Sequence, residues 1–522
     1  MDDPDSRTRL GVLPAVAIAA VSGVVTAVAF APIGWWPLAF VGILGVLAVQ
    51  WRARSRRGAL TGFVYGLTFF LVLLAWMTVI GMDAWILLSA YCALWNAALG
   101  ALVAPLSRLR GSVLWIPSAW VVMEALRGRI PIGGFPWGEI AFSQGNSPMG
   151  ALSGIAGMAG VTFLVVALAV LTVEGIRRRR FLPVALVSAA VIVAIIVIPR
   201  PLAVGGEGST ATVAVVQGGT PGTGMDAMSE DRVVLLNHVE QTLALAAAVD
   251  AGTEPQPDFV VWPENGSDID PFRDPSAAAL IDDAVQAIGA PVLVGAVLST
   301  EDPTKVENAG IVWDPVSGPG ERYVKMHPVP FGEFLPFRDQ LTPVIGRFDR
   351  VPRDFARGTE PGVLTIGGVV VGDAICFEVA YDDVFTSVIA GGAEVITVQT
   401  NNATYQGTGQ PVQQWDIERL RALNTGRAVV VASTTGISGF IAPDGTVQQQ
   451  LGEGETGYLV SEVPLNTSRT PASMLGVVPE IAAGAALLIG VGLGVYVRRR
   501  RTALERSSAG AQRVSPGRSA FR

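Results

Sequence analysis

Long apolar runs flank a single polar stretch in this chain, and that arrangement restricts its fold more than any other feature of the sequence. Of the 522 residues, 50% are hydrophobic and the mean hydropathy is +0.46, which is too apolar for an ordinary soluble enzyme. Several runs come near the roughly 20 residues that a helix needs to cross a bilayer. The sequence predicts eight spans, near residues 13–31, 36–49, 60–80, 84–106, 113–126, 157–173, 181–198 and 478–497.

Basic residues follow every second predicted span, in clusters at residues 52–57, 108–110, 177–180 and 498–501. Arg and Lys are enriched in the cytoplasmic loops of membrane proteins. We therefore expect both termini in the cytoplasm and the polar stretch on the other side of the cell membrane. The chain begins with Asp2, Asp3 and Asp5 and lacks the cationic start of a signal peptide, so we interpret the first apolar run as a retained span.

This pattern divides the chain into four segments. Residues 1–205 form a membrane domain of about seven helices, with a loop at 127–153 whose Gly and aromatic residues suit the membrane interface. Residues 206–470 form an extracytoplasmic domain, 477–497 a C-terminal transmembrane helix and 498–522 a basic cytoplasmic tail. The net charge of −7 comes mainly from the extracytoplasmic domain and indicates no nucleic-acid partner.

Strand-like apolar runs alternate with helical patterns inside the polar stretch, which is typical of a layered α/β domain. The predicted strands cover residues 212–217, 259–262, 291–297, 310–313, 369–377, 395–399 and 429–433. The predicted helices cover residues 231–249, 276–286, 383–389 and 413–425. Sites in such domains gather at the C-terminal ends of strands.

Glu264, Lys325 and Cys376 each follow a separate strand-like run. A thiol attacks well only as the thiolate, and a nearby carboxylate can take its proton during the attack. A nearby ammonium favours the thiolate and can stabilise the oxyanion of a tetrahedral intermediate. The three residues, together with Arg427 in a later segment, therefore predict covalent acyl transfer, with Glu264 as base, Lys325 as cation and Cys376 as nucleophile.

Simpler interpretations of the same residues stay open at this point. Cys376 can be an inert buried thiol, the usual state of cysteine, and Glu264 can cap a turn. His327 can pair with Cys376 in place of Lys325, and His238 is expected on the surface of a helix.

Three further residues belong to the apolar part of the chain. Cys92 is expected to be a packing residue within a span. Glu124 is either a functional carboxylate at membrane depth or an interfacial partner of Arg127, one helical turn away. The sequence has no second His or Cys at ligand spacing and no phosphate-loop pattern, so we expect neither a metal nor a cofactor.

Several motifs together resemble the nitrilase, or carbon–nitrogen hydrolase, superfamily and, within it, the bacterial apolipoprotein N-acyltransferases. In the polar stretch they are Val213-Ala214-Val215-Val216-Gln217-Gly218, Trp262-Pro263-Glu264, Tyr323-Val324-Lys325, Pro330-Phe331-Gly332-Glu333 and Ile375-Cys376-Phe377-Glu378. In the apolar part they are Glu124, Arg127, Gly134-Phe135-Pro136-Trp137 and Ser143-Gln144. The resemblance implies a polytopic α-helical membrane protein of about eight spans that carries an α/β nitrilase-like αββα sandwich outside the cytoplasm.

That family takes an acyl chain from a phospholipid onto its cysteine as a thioester and passes it to the α-amine of an S-diacylglyceryl cysteine. The resemblance therefore implies a phospholipid donor, a diacylglyceryl apolipoprotein acceptor, no cofactor or metal, and a monomeric multi-pass protein of the cell membrane. The roles of Glu264, Lys325 and Cys376 would be those given above. Glu333 would support the lysine and the intermediate, and Phe377 and Glu378 would line the site beside the thiol.

Two departures from the family pattern bear on substrate preference. The segment Asn401-Asn402-Ala403-Thr404-Tyr405 lacks the acidic and aromatic pair of many relatives, and Phe377 stands where some relatives have Tyr. Two other functions remain as alternatives: a membrane-anchored nitrilase-type amidase, and a non-catalytic membrane protein that binds lipoproteins. Eight spans disfavour the first, and the intact Glu264, Lys325 and Cys376 disfavour the second.

Overall fold

The computed structural model describes residues 10–180, isolated positions between 182 and 197, and residues 208–513. The span predicted at 181–198 lies outside the described residues. The N-terminal part contains six helices in its described range: α1 Val12–Ala27, α2 Pro37–Gln50, α3 Ser55–Leu73, α4 Met82–Leu106, α5 Ser112–Arg127 and α6 Ser153–Arg178. They correspond to the first six predicted spans.

Three helices in the described part of the chain are long and apolar enough to cross a membrane, namely Met82–Leu106, Pro148–Arg178 and Val478–Leu504. The helices α1 and α2 are apolar but shorter. The run predicted at 60–80 is not one helix, because α3 ends at Leu73 and a 3₁₀ turn follows over Ala75–Val79. This change of direction lets the Trp76 indole donate a hydrogen bond of 3.1 Å to Gln413 of the polar domain.

Small residues hold α3 and α4 close together. A methyl group at Gly58 would lie 2.1 Å from the Gly100 carbonyl oxygen, and one at Gly62 would lie 2.2 Å from the Asn96 carbonyl oxygen. Such distances are too short for a side-chain carbon, so only glycine permits this contact. Close backbone approach at small residues is the usual way in which helices associate within a membrane.

The polar domain contains two β-sheets of seven and six strands. The first has the order β13-β1-β2-β3-β4-β5, with β6 paired to β4, and the second has the order β12-β11-β10-β9-β8-β7. The strands are β1 Thr210–Gln217, β2 Phe259–Val261, β3 Val292–Ser299, β4 Lys305–Asp314, β5 Gly318–Val324, β6 Asp354–Phe355, β7 Val363–Ile366, β8 Val369–Ile375, β9 Val395–Thr400, β10 Val429–Ser433, β11 Ser438–Ile441, β12 Val447–Leu451 and β13 Gly457–Pro464.

The remaining described helices are α7 Val233–Asp250, α8 Pro275–Ile288, α9 Arg338–Leu341, α10 Asp382–Ala390, α11 Gln410–Thr425, α12 Pro471–Leu475 and α13 Val478–Arg513. The helices α7 and α8 share a core with the first sheet, and α10 and α11 share another with the second. The result is the expected αββα sandwich.

Alternating side chains of β1 belong to two different cores, one between the two sheets and one between the first sheet and its helices. Val213 and Val215 pack between the two sheets, whereas Ala214 and Val216 face the helices α7 and α8. Successive side chains of a strand point to opposite faces, so a strand buried on both faces reads as a continuous apolar run. Full burial of each Val contributes about 1.5–3 kcal/mol relative to exposure.

The outer helix α11 packs on the membrane part instead of facing solvent. Its Leu420 and Leu423 share a core with Phe70 of α3 and with Trp137 of the segment between α5 and α6. The region 127–153, predicted to lie at the membrane interface, includes the 3₁₀ turns Ile140–Gln144 and Pro148–Leu152, and the side chains of the first turn are buried. The joint between the two parts is therefore a shared apolar core.

Candidate active site

Lys325 and Cys376 lie directly after the strands β5 and β8, and Glu264 lies three residues after the end of β2. Each residue follows a separate strand, as the sequence predicts. Cys376 follows β8, while Glu264 and Lys325 belong to the other sheet. The Glu264 and Lys325 side chains are almost fully buried, and that of Cys376 is partly exposed. The structure thus brings the three predicted residues together where the two sheets meet at the ends of these strands.

The Lys325 ammonium bridges two carboxylates. Its Nζ donates to Glu264 Oε1 and to Glu333 Oε1, each at 2.9 Å. Burial alone would lower the pKa of Lys325, but the charges of Glu264 and Glu333 outweigh it and hold the pKa well above its usual range. Lys325 is therefore a permanent cation beside the thiol.

Asn308 is a site residue that the sequence analysis missed. From β4, its Nδ2 donates to Glu264 Oε1 at 2.6 Å and to Glu333 Oε1 at 3.0 Å. It thereby fixes the same two carboxylate oxygens that hold Lys325. No motif marks this position, and its only signal is a polar residue within a strand whose neighbours are buried.

Backbone amides occupy the other oxygens of the two carboxylates. Glu264 Oε2 accepts from the Asn401 amide at 2.8 Å, and Glu333 Oε2 accepts from the Val329 amide at 2.7 Å. Each carboxylate therefore has a fixed orientation. Glu264 directs Oε1 to the lysine side of the site and Oε2 to the loop that follows β9.

Cys376 occupies a strained backbone position. Its φ is +54°, in the left-handed region that side-chain-bearing residues seldom adopt, and it begins the 3₁₀ turn Cys376–Ala380. Such a conformation costs on the order of 1–3 kcal/mol and clusters at functional sites. The turn ends β8 abruptly and leaves the thiol at its tip.

The surroundings of the Cys376 thiol favour its protonated form. Burial, followed by the charge of Glu264, raises the pKa of Cys376 to about 12, while Lys325 and a hydrogen bond with Thr400 act in the opposite direction. A thiol with such a pKa carries its proton at neutral pH. Attack therefore requires a base that removes the proton during the reaction.

Glu378 is buried beneath the turn that carries Cys376 and, contrary to what the resemblance implied, does not line the site. It is fully buried and accepts hydrogen bonds from the Tyr323 hydroxyl and from the backbone amides of Met326, His327 and Ile375. These bonds tie the end of β5 to the end of β8. Burial raises the pKa of Glu378 in spite of the four donors.

Phe377 faces the membrane part. Its ring stacks on Trp137 with centroids 5.9 Å apart and on Phe135 at the same distance. Both partners belong to the Gly134-Phe135-Pro136-Trp137 motif. That motif therefore contacts the residue next to the thiol.

Gln413 of α11 connects the same region to three parts of the membrane domain. Its Oε1 accepts from the Trp137 and Trp76 indoles at 2.8 and 3.1 Å. Its Nε2 donates to the Ala31 and Leu73 carbonyls at 3.2 and 3.0 Å. Sequence reasoning missed this residue, because a glutamine in a helix carries no signal that its partners lie more than 270 residues away.

Neither histidine occupies the position that the sequence analysis considered for it. His327 does not pair with Cys376: it contacts Asp383 Oδ2 at 2.9 Å and stacks on Tyr381. The surface position expected for His238 is wrong, because this residue is fully buried and its Nε2 accepts from the Gly218 amide at 3.1 Å. Burial lowers the pKa of His238 to about 4, so the ring remains a neutral acceptor.

Glu124 and Arg127 are both buried, and the ion pair between them, one of the two alternatives given above, is not formed. Glu124 accepts from the Trp120 indole, the Ile140 amide and the Thr162 hydroxyl. Arg127 donates to the carbonyls of Phe135 and Trp137, both at 2.6 Å. The two residues thus shape the segment that carries Trp137.

Arg427 lies outside the site, contrary to the sequence prediction. It donates to the carbonyls of Ala393 and Ser468 and so fixes the chain leaving the sandwich. Cys92 is buried in an apolar core. Among the residues that the structure describes, no group of three or more His, Cys, Asp or Glu side chains could hold a metal ion.

This fold, with an acid, a lysine and a cysteine at its strand ends, defines a carbon–nitrogen hydrolase domain joined to apolar helices. Residues 212–471 match the sequence profile of carbon–nitrogen hydrolases, and residues 22–171 match that of the apolipoprotein N-acyltransferase N-terminal domain. An apolipoprotein N-acyltransferase from Mycolicibacterium smegmatis is 37% identical over 88% of this chain and 82% of its own length. One from Ralstonia nicotianae is 31% identical over 93% of this chain and 94% of its own length. The chain belongs to the apolipoprotein N-acyltransferase family, and its apolar helices fit a membrane protein.

Among solved structures, an amidase of the nitrilase superfamily from Nesterenkonia AN1 is 16% identical, covering 52% of this chain and 95% of its own, with a TM-score of 0.35. A likeness of this size supports no conclusion about the site of this chain.

Proposed function

We propose that this enzyme moves an acyl chain from a phospholipid to the α-amine of the S-diacylglyceryl cysteine of an apolipoprotein, through a thioester on Cys376. Membership of the family supports the reaction. The observation that carries the mechanism is the buried Lys325 ammonium, which lies 2.9 Å from both Glu264 and Glu333 at the strand ends that also carry Cys376.

In the first half-reaction Glu264 takes the thiol proton as Cys376 Sγ attacks the ester carbonyl of the phospholipid. The carbonyl oxygen gains a negative charge that the Lys325 ammonium stabilises. Collapse of this intermediate breaks the ester bond, and the leaving lysophospholipid alkoxide takes the proton from Glu264. Loss of one oxyanion donor typically costs about 3 kcal/mol in the barrier, so Lys325 supplies a large share of the catalysis.

In the second half-reaction the α-amine of the acceptor attacks the thioester. Glu264 accepts a proton from the attacking amine, the carbon–sulfur bond breaks, and the leaving Cys376 thiolate takes this proton from Glu264, which restores the resting enzyme. Glu333 and Asn308 keep Lys325 and Glu264 in position through both halves. Two neighbours keep the Cys376 backbone in its strained conformation. Phe377 stacks on Trp137, and Glu378 accepts from the Ile375 amide beneath the turn.

The membrane arrangement that suits this chemistry has eight spans, with both termini in the cytoplasm and the catalytic domain outside. Residues 1–205 then form the membrane domain, 206–470 the catalytic domain, 477–497 the last span and 498–522 the cytoplasmic tail. The shared core between α11 and the membrane helices supports this proposal, since it holds the thiol next to the apolar part. All the proposed catalytic groups come from one chain, so a monomer suffices.

Intact mass spectrometry of the detergent-purified protein incubated with phospholipid tests this function. We expect a hydroxylamine-labile acyl adduct on Cys376 that disappears when a diacylated lipopeptide is added, with the peptide gaining one acyl chain. An adduct that decays only to free fatty acid would indicate a lipid hydrolase. If the wild type and Cys376→Ala behave alike, without any adduct, the chain is a non-catalytic lipoprotein-binding protein.

A further inference from the structure

A polar cavity of about 630 Å³ in the catalytic domain is lined by none of the residues used in the mechanism above. The loop of residues 218–223 after β1 forms one wall, and one face of α7 forms another. Gln406 and Thr435, from the loops after β9 and β10, close the remaining side. A volume of this size falls within the range of about 300–1,000 Å³ that ligand sites occupy.

A chain of three hydrogen bonds connects the cavity wall to Glu264 through Asn401 and Thr434. The Asn401 amide donates to Glu264 Oε2 at 2.8 Å, and Asn401 Oδ1 accepts from the Thr434 hydroxyl at 3.0 Å. The Thr434 carbonyl in turn accepts from the amide of Gly219, a lining residue, at 2.9 Å. The cavity is therefore three residues away from the group that we assign as the base.

The α7 wall presents side chains that have no protein partner. Asn237, Glu240 and Gln241 lie at helical spacing on one face of α7 and line the cavity. Within the described part of the chain, no hydrogen bond or ion pair engages these three side chains. They are free to bind a ligand that offers amide groups.

The charge of the cavity disfavours an anionic lipid headgroup. Its described lining contains the carboxylate of Glu240 and neither Lys nor Arg. Phosphate sites normally use Arg or Lys, so a phosphate would find no cation here. An uncharged polar chain such as a peptide suits the lining better, because amide and hydroxyl groups can bond to both its N–H and C=O groups.

The loop that forms the first wall continues toward the membrane part. A methyl group at Gly224 would lie 3.8 Å from Val79, in the turn between α3 and α4. A lipidated acceptor must keep its acyl chains in the membrane while its α-amine reaches Cys376. Its peptide must then leave through a polar region near the base.

We propose that this cavity binds the peptide segment that follows the lipidated cysteine of the acceptor. The inference rests on the acyl-transfer function proposed above and adds a subsite to it. Asn237 and Gln241 bind the peptide backbone, and Glu240 excludes acidic side chains from this position.

Two acceptors and three variants test the subsite. One acceptor is a diacylglyceryl cysteine followed by a short neutral peptide, and the other is the diacylglyceryl cysteine amide alone. Asn237→Trp fills the cavity and Gln241→Ala removes a hydrogen-bonding group. Leu243→Trp is the matched control, since Leu243 is an exposed residue of the same helix and does not line the cavity.

In the cavity variants we expect KM for the peptide acceptor to rise about tenfold, the effect of losing one or two hydrogen bonds. KM for the cysteine amide should change much less, and the Leu243→Trp control should match the wild type with both acceptors. Equal changes with both acceptors, or no change with either, would overturn the proposal. Slower formation of the acyl adduct from phospholipid would assign the cavity to the donor instead.

Failure of the underlying function would look different. A wild-type protein that forms no adduct, or that never transfers the acyl chain to either acceptor, contradicts the proposed reaction itself. A wild type that acylates both acceptors with the same KM keeps the reaction and rejects only the peptide subsite.

Discussion

The rings of Phe377 and Trp137 lie almost parallel, with their planes 8° apart and their centroids 5.9 Å apart. Phe377 follows Cys376, the proposed nucleophile, and Trp137 belongs to the segment between α5 and α6. The Trp137 indole is itself fixed by a hydrogen bond of 2.8 Å to Gln413. The position of the thiol thus depends on the membrane part as well as on the sandwich.

Trp137→Ala tests this dependence. The variant loses the stacked ring and the bond to Gln413, interactions worth about 0.5–1.5 kcal/mol each. We expect the rate of acyl-adduct formation to fall about tenfold. Trp137→Phe keeps a ring and should lose less, and Trp35→Ala, at an exposed tryptophan, should leave the rate unchanged. An unaltered rate in Trp137→Ala would show that the stack does not position the thiol.

Lys325→Ala should nearly abolish the reaction. Loss of an oxyanion donor lowers kcat by about a hundredfold or more, and here it also leaves Glu264 and Glu333 facing each other without a cation. Lys305→Ala is the control, because Lys305 lies on the surface of the same domain. Single-turnover measurement of the adduct separates the effect on chemistry from any effect on lipid binding. A variant with more than about half of the wild-type rate would contradict the role of Lys325.

Much of the sandwich follows from hydrophobic patterning alone. Strands such as β1, β9 and β10 are buried on both faces, so their apolar runs are visible in the sequence. The strand β12 is not visible in this way, and only the Tyr323-Val324 end of β5 reads as a strand in the sequence. Most side chains of both strands are exposed, because their remaining sequences are Gly318-Pro319-Gly320-Glu321-Arg322 and Val447-Gln448-Gln449-Gln450-Leu451. Pairing with β4 and β11 forms them, and a pairing partner is a tertiary feature.

The strand-end positions of the three proposed catalytic residues were predictable, but the groups that hold them were not. A carboxylate, a lysine and a cysteine after strands carry recognisable chemistry, whereas Asn308 and Gln413 act only through partners distant in sequence. His238 shows the same limit. In the sequence, His238 looks like any polar residue of a surface helix. Its buried position is accompanied by a hydrogen bond from the Gly218 amide, a partner that the helix sequence does not reveal.

Glu264→Gln distinguishes the effect of Glu264 on the pKa of the Cys376 thiol from its proposed role as the catalytic base. The Glu264 charge raises the pKa of Cys376, so its removal should lower that pKa and increase alkylation by iodoacetamide at pH 8. Turnover should instead fall by about 10²–10⁴-fold, because the amide cannot accept the proton. A parallel fall of alkylation and turnover would mean that the residue acts only on thiol access. Glu254→Gln, at a residue outside the site, provides the control.

Thr400→Val should act in the opposite sense on the same thiol. The Thr400 hydroxyl accepts from Gln414 Nε2 at 2.9 Å and donates to Asn402 Oδ1 at 3.3 Å, and its hydrogen bond with Cys376 lowers the pKa of the thiol. Without it the pKa should rise further, and alkylation at a fixed pH should slow. Thr400→Ser keeps the hydroxyl and should restore the wild-type profile of alkylation against pH. A serine variant that behaves like valine would point to packing instead.

Glu418 makes the stability of the catalytic domain sensitive to pH. The carboxyl is buried in α11 with Gln414 Nε2 as its donor at 2.9 Å, and burial raises its pKa to about 8. A raised pKa means that the folded state binds the proton more tightly than the unfolded state does. The protonated Glu418 carboxyl therefore contributes fully to the stability of the folded state below the ordinary pKa of a glutamate. This contribution is lost as the pH rises to about 8.

Glu418→Gln removes this titration while keeping an uncharged group of the same shape. We expect the Tm of the wild type to fall relative to that of the variant as the pH rises from 5 to 9, with the variant more stable at the alkaline end. Glu230→Gln, at an exposed residue of the same domain, should follow the wild type. Thermal unfolding of the detergent-solubilised proteins across this range measures the difference. A difference in Tm that does not change with pH would mean that the Glu418 carboxyl keeps the same charge throughout.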